Sequence, residues 1–309
     1  MIVMREGATE KPRPYSHPAE SDPVIAPAIL PNEGAPRING PRITGATPGR
    51  PFLYRIPVTG EGPLSFSARN LPAGLTLDAR TGIISGSLRA AGRTVVDLTV
   101  RGARGSTNRT LTIVGGSDAL ALTPPMGWNS WNAWGTSVDA EKVKAAADWM
   151  VKSGLAAHGF QYVNIDDGWE GKRDSSGVLQ PDPAKFPDMK SLADYVHAQG
   201  LKIGIYSSPG PMTCGGREGS YQHERQDAET WARWGIDYLK HDYCSYERIY
   251  PGFELSTLQA PLGSDAASDE PHEERADPSH HAVGDASRTA VDRCRLVAAR
   301  SVHARVVDE

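Results

Sequence analysis

Phe160-Gln-Tyr-Val-Asn-Ile-Asp-Asp-Gly-Trp169 is an apolar, β-prone run that stops at two carboxylates, a glycine and an indole. Its first six residues read as a strand, 160–165, and the Asp-Asp-Gly that follows reads as the turn at its carboxyl end. The same pattern recurs downstream: Leu201-Lys-Ile-Gly-Ile-Tyr206 runs into Ser207, Ser208, Pro209 and Gly210, and Ile236-Asp-Tyr-Leu-Lys240 runs into His241, Asp242, Tyr243 and Cys244. Upstream, Met126-Gly-Trp128 is a shorter strand leading to Asn129, Ser130, Trp131 and Trp134. Helical periodicity fills the intervals. One helix is predicted over 138–153, capped by Thr136 or Ser137, with Val143, Ala146, Ala147 and Met150 on one face and Gly154 as its stop. Two more are predicted over 188–199 and 222–234, ending at Gly200 and Gly235. Four strand-and-helix units in alternation predict a parallel sheet over 120–250, arranged as the first half of a (β/α)8 TIM barrel.

Outward from this segment the texture changes on both sides. All seven Trp lie between Trp128 and Trp234. Residues 41–116 carry short alternating apolar runs at 52–56, 64–66, 75–77, 83–84, 95–100 and 111–114, separated by turn residues, which predicts an antiparallel β-sandwich. Within it, Asn70-Leu-Pro-Ala-Gly-Leu-Thr-Leu-Asp-Ala-Arg-Thr-Gly-Ile-Ile-Ser-Gly86 places Pro72 and Gly74 at one turn and Asp78 to Gly82 at the next, between Leu75, Leu77, Ile83 and Ile84. Residues 1–40 are a Pro-rich leader for which no structure is expected. The last 59 residues, 251–309, hold no Lys and no Trp and only 11 large apolar side chains. That is too little apolar surface to offset the entropy of ordering, so a disordered low-complexity tail is expected, with at most a frayed helix near Thr289 to Val307. It also leaves the barrel incomplete after strand four, with the edges of strands one and four open to aggregation.

With 309 residues the length suits two domains. A formal charge of −4 without a basic stripe argues against nucleic acid as a partner. No apolar run reaches the roughly 18 residues of a membrane span, and Met1 to Pro14 lacks the apolar core of a signal peptide. Three cysteines, Cys214, Cys244 and Cys294, allow at most one bridge and lack zinc-site spacing.

In a parallel barrel the chemistry gathers at the carboxyl ends of the strands. Those ends carry Trp131, the pair Asp166 and Asp167 with Trp169, and Lys240 with Asp242. Carboxylates accept hydroxyl protons and indole faces cover a pyranose ring, so the set suits a sugar. Each element also has a plain alternative. The Asp pair could cap a helix or hold a cation, and Lys240 and Asp242, two apart on one strand face, could be an ordinary ion pair. His241 points the other way as a packing residue. Trp149, Trp231 and Trp234 fall on helices and read as core.

Taken in order, Pro124-Pro-Met-Gly-Trp-Asn-Ser-Trp131, Asn164-Ile-Asp-Asp-Gly-Trp169, Gly204-Ile-Tyr-Ser-Ser-Pro-Gly210 and Asp237-Tyr-Leu-Lys-His-Asp-Tyr-Cys244 resemble the successive strand signatures of the α-galactosidases of glycoside hydrolase family 27. The segment 70–86 resembles the hairpin of an immunoglobulin-like (He_PIG-type) family found in multidomain surface and secreted proteins, where a spacer is the expected role. The glycosidase resemblance implies retaining hydrolysis of terminal α-D-galactosides, with Asp242 as nucleophile and Lys240, Asp166, Asp167, Trp131, Trp169 and Cys214 around the sugar. It further implies a Cys214–Cys244 disulfide with Cys294 left over, and an extracellular or periplasmic location. It calls for no cofactor and no metal. Retention needs a second carboxyl about 5 Å from the first to protonate the leaving oxygen. In the family that acid follows strand six, after a Trp-Arg pair, and no counterpart is found here.

Two alternatives stand beside the galactosidase reading: an α-N-acetylgalactosaminidase or another specificity of the family, and a truncated or frameshifted product with no turnover and at most weak sugar binding. An adhesion module built on residues 41–115 is a third.

Overall fold

A computed structural model describes residues 32–117 and 119–245. The expectations for residues 1–31, for the tail and for Cys294 lie outside the described residues.

Nine strands form the amino-terminal sandwich: β1 (Arg37–Ile38), β2 (Ile43–Ala46), β3 (Pro51–Arg55), β4 (Val58–Thr59), β5 (Ser65–Arg69), β6 (Leu75–Leu77), β7 (Ile83–Ser87), β8 (Gly92–Gly102) and β9 (Gly105–Gly115). One sheet runs β2-β9-β8-β5, the other β3-β7-β6, and β1 pairs with β4. Alternation decides what lies between them. Phe52, Tyr54, Phe66, Leu75, Ile84, Val96, Leu98, Val100, Leu111 and Ile113 point inward and are buried. In the 70–86 hairpin Asp78 Oδ1 accepts from the backbone N–H of Arg80 at 2.8 Å, an Asx turn that delivers the chain to Gly82 at φ 72°. One part of the antiparallel expectation is corrected: β2 runs parallel to β9, in the register Ile43↔Thr112. A local alternation pattern is the same for either direction, so strand direction had no signal.

The second body is built on the parallel sheet β10-β11-β14-β15, with β10 (Gly127–Asn129), β11 (Tyr162–Asn164), β14 (Lys202–Ser207) and β15 (Tyr238–His241). Its helices are the short α1 (Trp131–Trp134), then α2 (Ala140–Lys152), α3 (Met189–Ala198) and α4 (Glu224–Trp234). On α2 the positions i, i+4 and i+7, Val143, Ala147 and Met150, are buried; each large one contributes roughly 1.5–3 kcal/mol. The matching stripe on α3 is Leu192, Ala193 and Val196. Both helices start on an aspartate. Asp139, rather than Thr136 or Ser137, caps α2 by accepting the Lys142 N–H at 2.9 Å, and Asp188 caps α3 by accepting that of Ser191 at 2.9 Å. Every residue of β14 from Ile203 to Ser207 is buried, as befits a strand covered on both faces.

The stretch expected as a loop between β11 and α3 contains the hairpin β12 (Glu170–Arg173) and β13 (Leu179–Pro181). Arg173 fixes this hairpin. Its guanidinium forms a fork to Asp227 on α4 at 2.7 and 2.8 Å and also donates to the carbonyls of Gly177 and Gly219. His241, expected to pack, keeps an accessible surface at the end of β15, yet desolvation still lowers its imidazole pKa to about 4.

Candidate active site

The four parallel strands set their carboxyl ends side by side, and the registers Asn129↔Asn164, Asn164↔Gly204 and Tyr206↔Lys240 fix which side chains meet. Asp166, just past β11, is 2 % exposed. Its Oδ2 accepts from Asn129 Nδ2 at 2.6 Å and from Lys240 Nζ at 2.8 Å, and its Oδ1 from the Asp167 N–H at 2.8 Å. The Asp166 N–H in turn donates to Ser130 Oγ at 2.9 Å, which ties the chain next to Trp131 to the same point. Trp131 itself is half-buried on α1.

Asp167 faces the other loop. Thr213 Oγ1 donates to its Oδ1 at 3.0 Å and the Gly215 N–H to its Oδ2 at 2.5 Å. Burial raises its pKa above the ordinary aspartate value, the two donors oppose that, and the neighbouring Asp166 charge adds to it. Between Thr213 and Gly215 sits Cys214, bonded to Cys244 with the two Cα atoms 5.0 Å apart. The expected disulfide is therefore present, and it joins the loop that grips Asp167 to the segment that carries Asp242.

Asp242 is the half-exposed carboxylate of the group. Tyr206 donates its hydroxyl to Asp242 Oδ2 at 3.2 Å, Cys214 Sγ lies 3.9 Å away and Lys240 Nζ 4.0 Å away. The Asp242 N–H donates to the Ser207 carbonyl at 2.9 Å, anchoring the residue at the strand end. Tyr206 was not among the sequence-derived candidates. Burial and the Asp242 charge both push its pKa well above that of a free phenol, so it stays a neutral donor. The signal for it was its position one residue before Ser207 at the end of a strand.

Two expectations change. Lys240 and Asp242 share a face but are not a tight pair, since the ammonium is drawn to Asp166 instead. Trp169 packs away from this group: it is fully buried, its Nε1 donates to the Tyr206 carbonyl at 3.0 Å, and its ring meets Trp231 and Trp234 edge-on at 6.2 and 5.9 Å. It belongs to the core, where an indole with a satisfied N–H packs at no polar cost.

Behind Asp167 lies a group with no sequence signal. Glu170 is 1 % exposed; its Oε2 accepts the Gly168 N–H at 2.9 Å, while Oε1 has no partner among the described residues. Burial and then the Asp167 charge push its carboxyl up to about 8. Arg217 is the cation that tempers both acids.

Comparison with known proteins agrees with this picture. Residues 123–257 match the family described as alpha galactosidase A, and residues 35–115 match the He_PIG family of Ig domains. The resemblance read from the strand signatures is thus shown, as is a multidomain chain with an Ig-like domain. Alpha-galactosidase A of Cellvibrio japonicus is 54% identical over 143 residues, covering 46% of this chain and 35% of that protein. The chain spans about a third of the length of the curated relatives it matches. A crystal structure of a candidate α-galactosidase from Bacteroides fragilis superposes with a TM-score of 0.73 at 40% identity, covering 87% of this chain and 53% of that one. A second protein of that organism, also a candidate α-galactosidase or melibiase, gives 0.68 at 46% identity over 71% of this chain and 47% of its own. No described helix is long and apolar enough to cross a membrane.

Proposed function

We propose that this chain carries the nucleophile and sugar-binding half of a retaining α-galactosidase, its parallel sheet forming the first four strands of a (β/α)8 barrel. The observation that supports this best is the convergence of Asp166, Lys240, Tyr206 and Asp242 at the carboxyl ends of adjacent strands, within a segment half identical to α-galactosidases.

In this reading one oxygen of Asp242 attacks the anomeric carbon while the bond to the leaving oxygen breaks, giving a glycosyl ester that water then hydrolyses. Tyr206 donates to Oδ2 of Asp242 and the Lys240 ammonium stands 4.0 Å from it, so both orient the attacking carboxylate. Asp166 and Asp167 keep lone pairs free of their internal bonds and accept sugar hydroxyls; Trp131 supplies an apolar face. Among the described residues we assign no general acid: Asp166 is held by Lys240, Asp167 by Thr213 and Gly215, and Glu170 faces Gly168. Without one, a leaving group that needs no proton reacts and an alkoxide leaving group does not. The Cys214–Cys244 bridge supports an oxidising compartment, outside the cell or in the periplasm.

The test is covalent trapping with an activated 5-fluoro-α-galactosyl fluoride, whose fluoride leaves unprotonated, followed by peptide mass mapping. A single adduct on the peptide with Asp242, absent in Asp242→Asn and competed by galactose better than by N-acetylgalactosamine, is expected. An adduct elsewhere, or none while galactose still binds, overturns the assignment of Asp242.

A further inference from the structure

The site occupies the carboxyl ends of the parallel strands; the sandwich sits against the opposite ends. Arg55, at the end of β3, reaches across and donates from Nη1 to the carbonyl of Gln199 at 2.7 Å, in the turn between α3 and β14. Its own carbonyl accepts from Gln161 Nε2 at 3.4 Å, just before β11. Asn39 donates to the Ala157 carbonyl at 2.9 Å, in the turn that leads into β11. These are helix-to-strand turns, the elements that set where each strand of the sheet begins.

Backbone packing makes the same contact tight. A Cβ on Gly159 would lie 3.1 Å from Gly40 Cα, and one on Gly200 would lie 2.9 Å from both Arg55 Cβ and Ile83 Cγ1. Leu120, in the connection, packs on the sandwich core. Phe52, Leu53 and Leu120 on one side and Tyr162 and Lys202 on the other line a single small cleft between the two bodies. Arg55 is desolvated enough for burial to lower its pKa from the ordinary arginine value. A spacer on a loose tether would show none of this. The Bacteroides fragilis structure that superposes on 87% of the chain does so over more than either body alone, so the arrangement recurs in a second protein.

We propose that the Ig-like sandwich is an intramolecular brace for the amino-terminal face of the parallel sheet, so that the two bodies unfold as one unit and the sandwich takes no part in binding at the opposite face. In barrels that face serves stability while the other serves chemistry, and the contacts above assign the sandwich to the first role. The inference holds whatever sugar, if any, the site binds.

Scanning calorimetry and hydrogen exchange of the full chain test it. The wild type is expected to melt in one transition spanning both bodies. Arg55→Ala is expected to split or lower that transition and to speed exchange in peptides 155–162 and 196–203 by about tenfold, while Arg101→Ala, at an exposed position of β8, leaves both unchanged. If Arg55→Ala does not fold, Asn39→Ala, which removes one bond of the same face and one to Thr59 within the sandwich, is read on the same peptides. Two independent transitions in the wild type, or exchange in those peptides unmoved by either interface variant, overturns the brace.

Discussion

Lys240 Nζ lies 2.8 Å from Asp166 Oδ2 and 4.0 Å from Asp242 Oδ2, so the ammonium of the fourth parallel strand is committed to the carboxylate of the second. One cation thereby compensates a buried anion and still faces the exposed one. At 2 % exposure Asp166 has lost its water, and Lys240, Asn129 and the Asp167 N–H replace it as donors.

Removing that partner has a definite cost. Lys240→Met is expected to destabilise the chain by roughly 1–3 kcal/mol, since Asn129 still donates to Asp166, and to abolish galactose binding. Urea denaturation and calorimetric titration read the two effects. The double variant Lys240→Met/Asp166→Asn should recover much of the stability and none of the binding.

The disulfide closes a sequence separation of 30 residues and grips both sides of the site. Replacing Cys214 and Cys244 by Ser is expected to cost about 3.6 kcal/mol by the loop-entropy argument. It should also weaken galactose binding, because Thr213 and Gly215 hold Asp167 only while their loop is tethered. Mild reduction of the wild type should reproduce the binding loss, followed by titration with and without reductant.

Glu170 makes stability depend on pH in a specific direction. Its folded pKa, about 8, lies above the ordinary value of 4.5, so the native state holds a proton that the unfolded state releases between those limits. Its contribution is full below pH 4.5 and is lost as pH rises to 8. Glu170→Gln keeps the shape and removes the titration. The stability of the variant relative to wild type should therefore climb between pH 5 and 8 and level off above, measured by urea denaturation across that range; a difference flat with pH would mean Glu170 is already ionised.

Arg173 and Asp227 form a buried fork between the β12–β13 hairpin and α4, with no exposure of the Asp227 side chain. Arg173→Met is expected to cost about 3–5 kcal/mol by stranding that carboxylate, and Asp227→Asn in addition should restore part of it. The hairpin should show the largest rise in hydrogen exchange.

The alternation of short apolar runs with amphipathic stretches determined the strands at 160–165, 201–206 and 236–240, the helices between them, and the gathering of Trp131, Asp166, Asp167, Lys240 and Asp242 at one end of a parallel sheet. Periodicity and turn chemistry are local, and they were enough for that. The 70–86 hairpin was legible for the same reason, since Asp78 and Gly82 act within one turn. Only the tertiary structure decided which carboxylate takes Lys240, because that depends on the registers of β11 with β14 and of β14 with β15 and on the reach of a flexible side chain. It decided that Trp169 is core and that Tyr206 meets Asp242, since both follow from what packs on the far side of a strand. It raised the pKa of Glu170, an effect of burial that no neighbour in sequence encodes. And it turned a sandwich readable as a spacer into a partner of the sheet, through contacts between residues such as Arg55 and Gln199 that lie 144 positions apart.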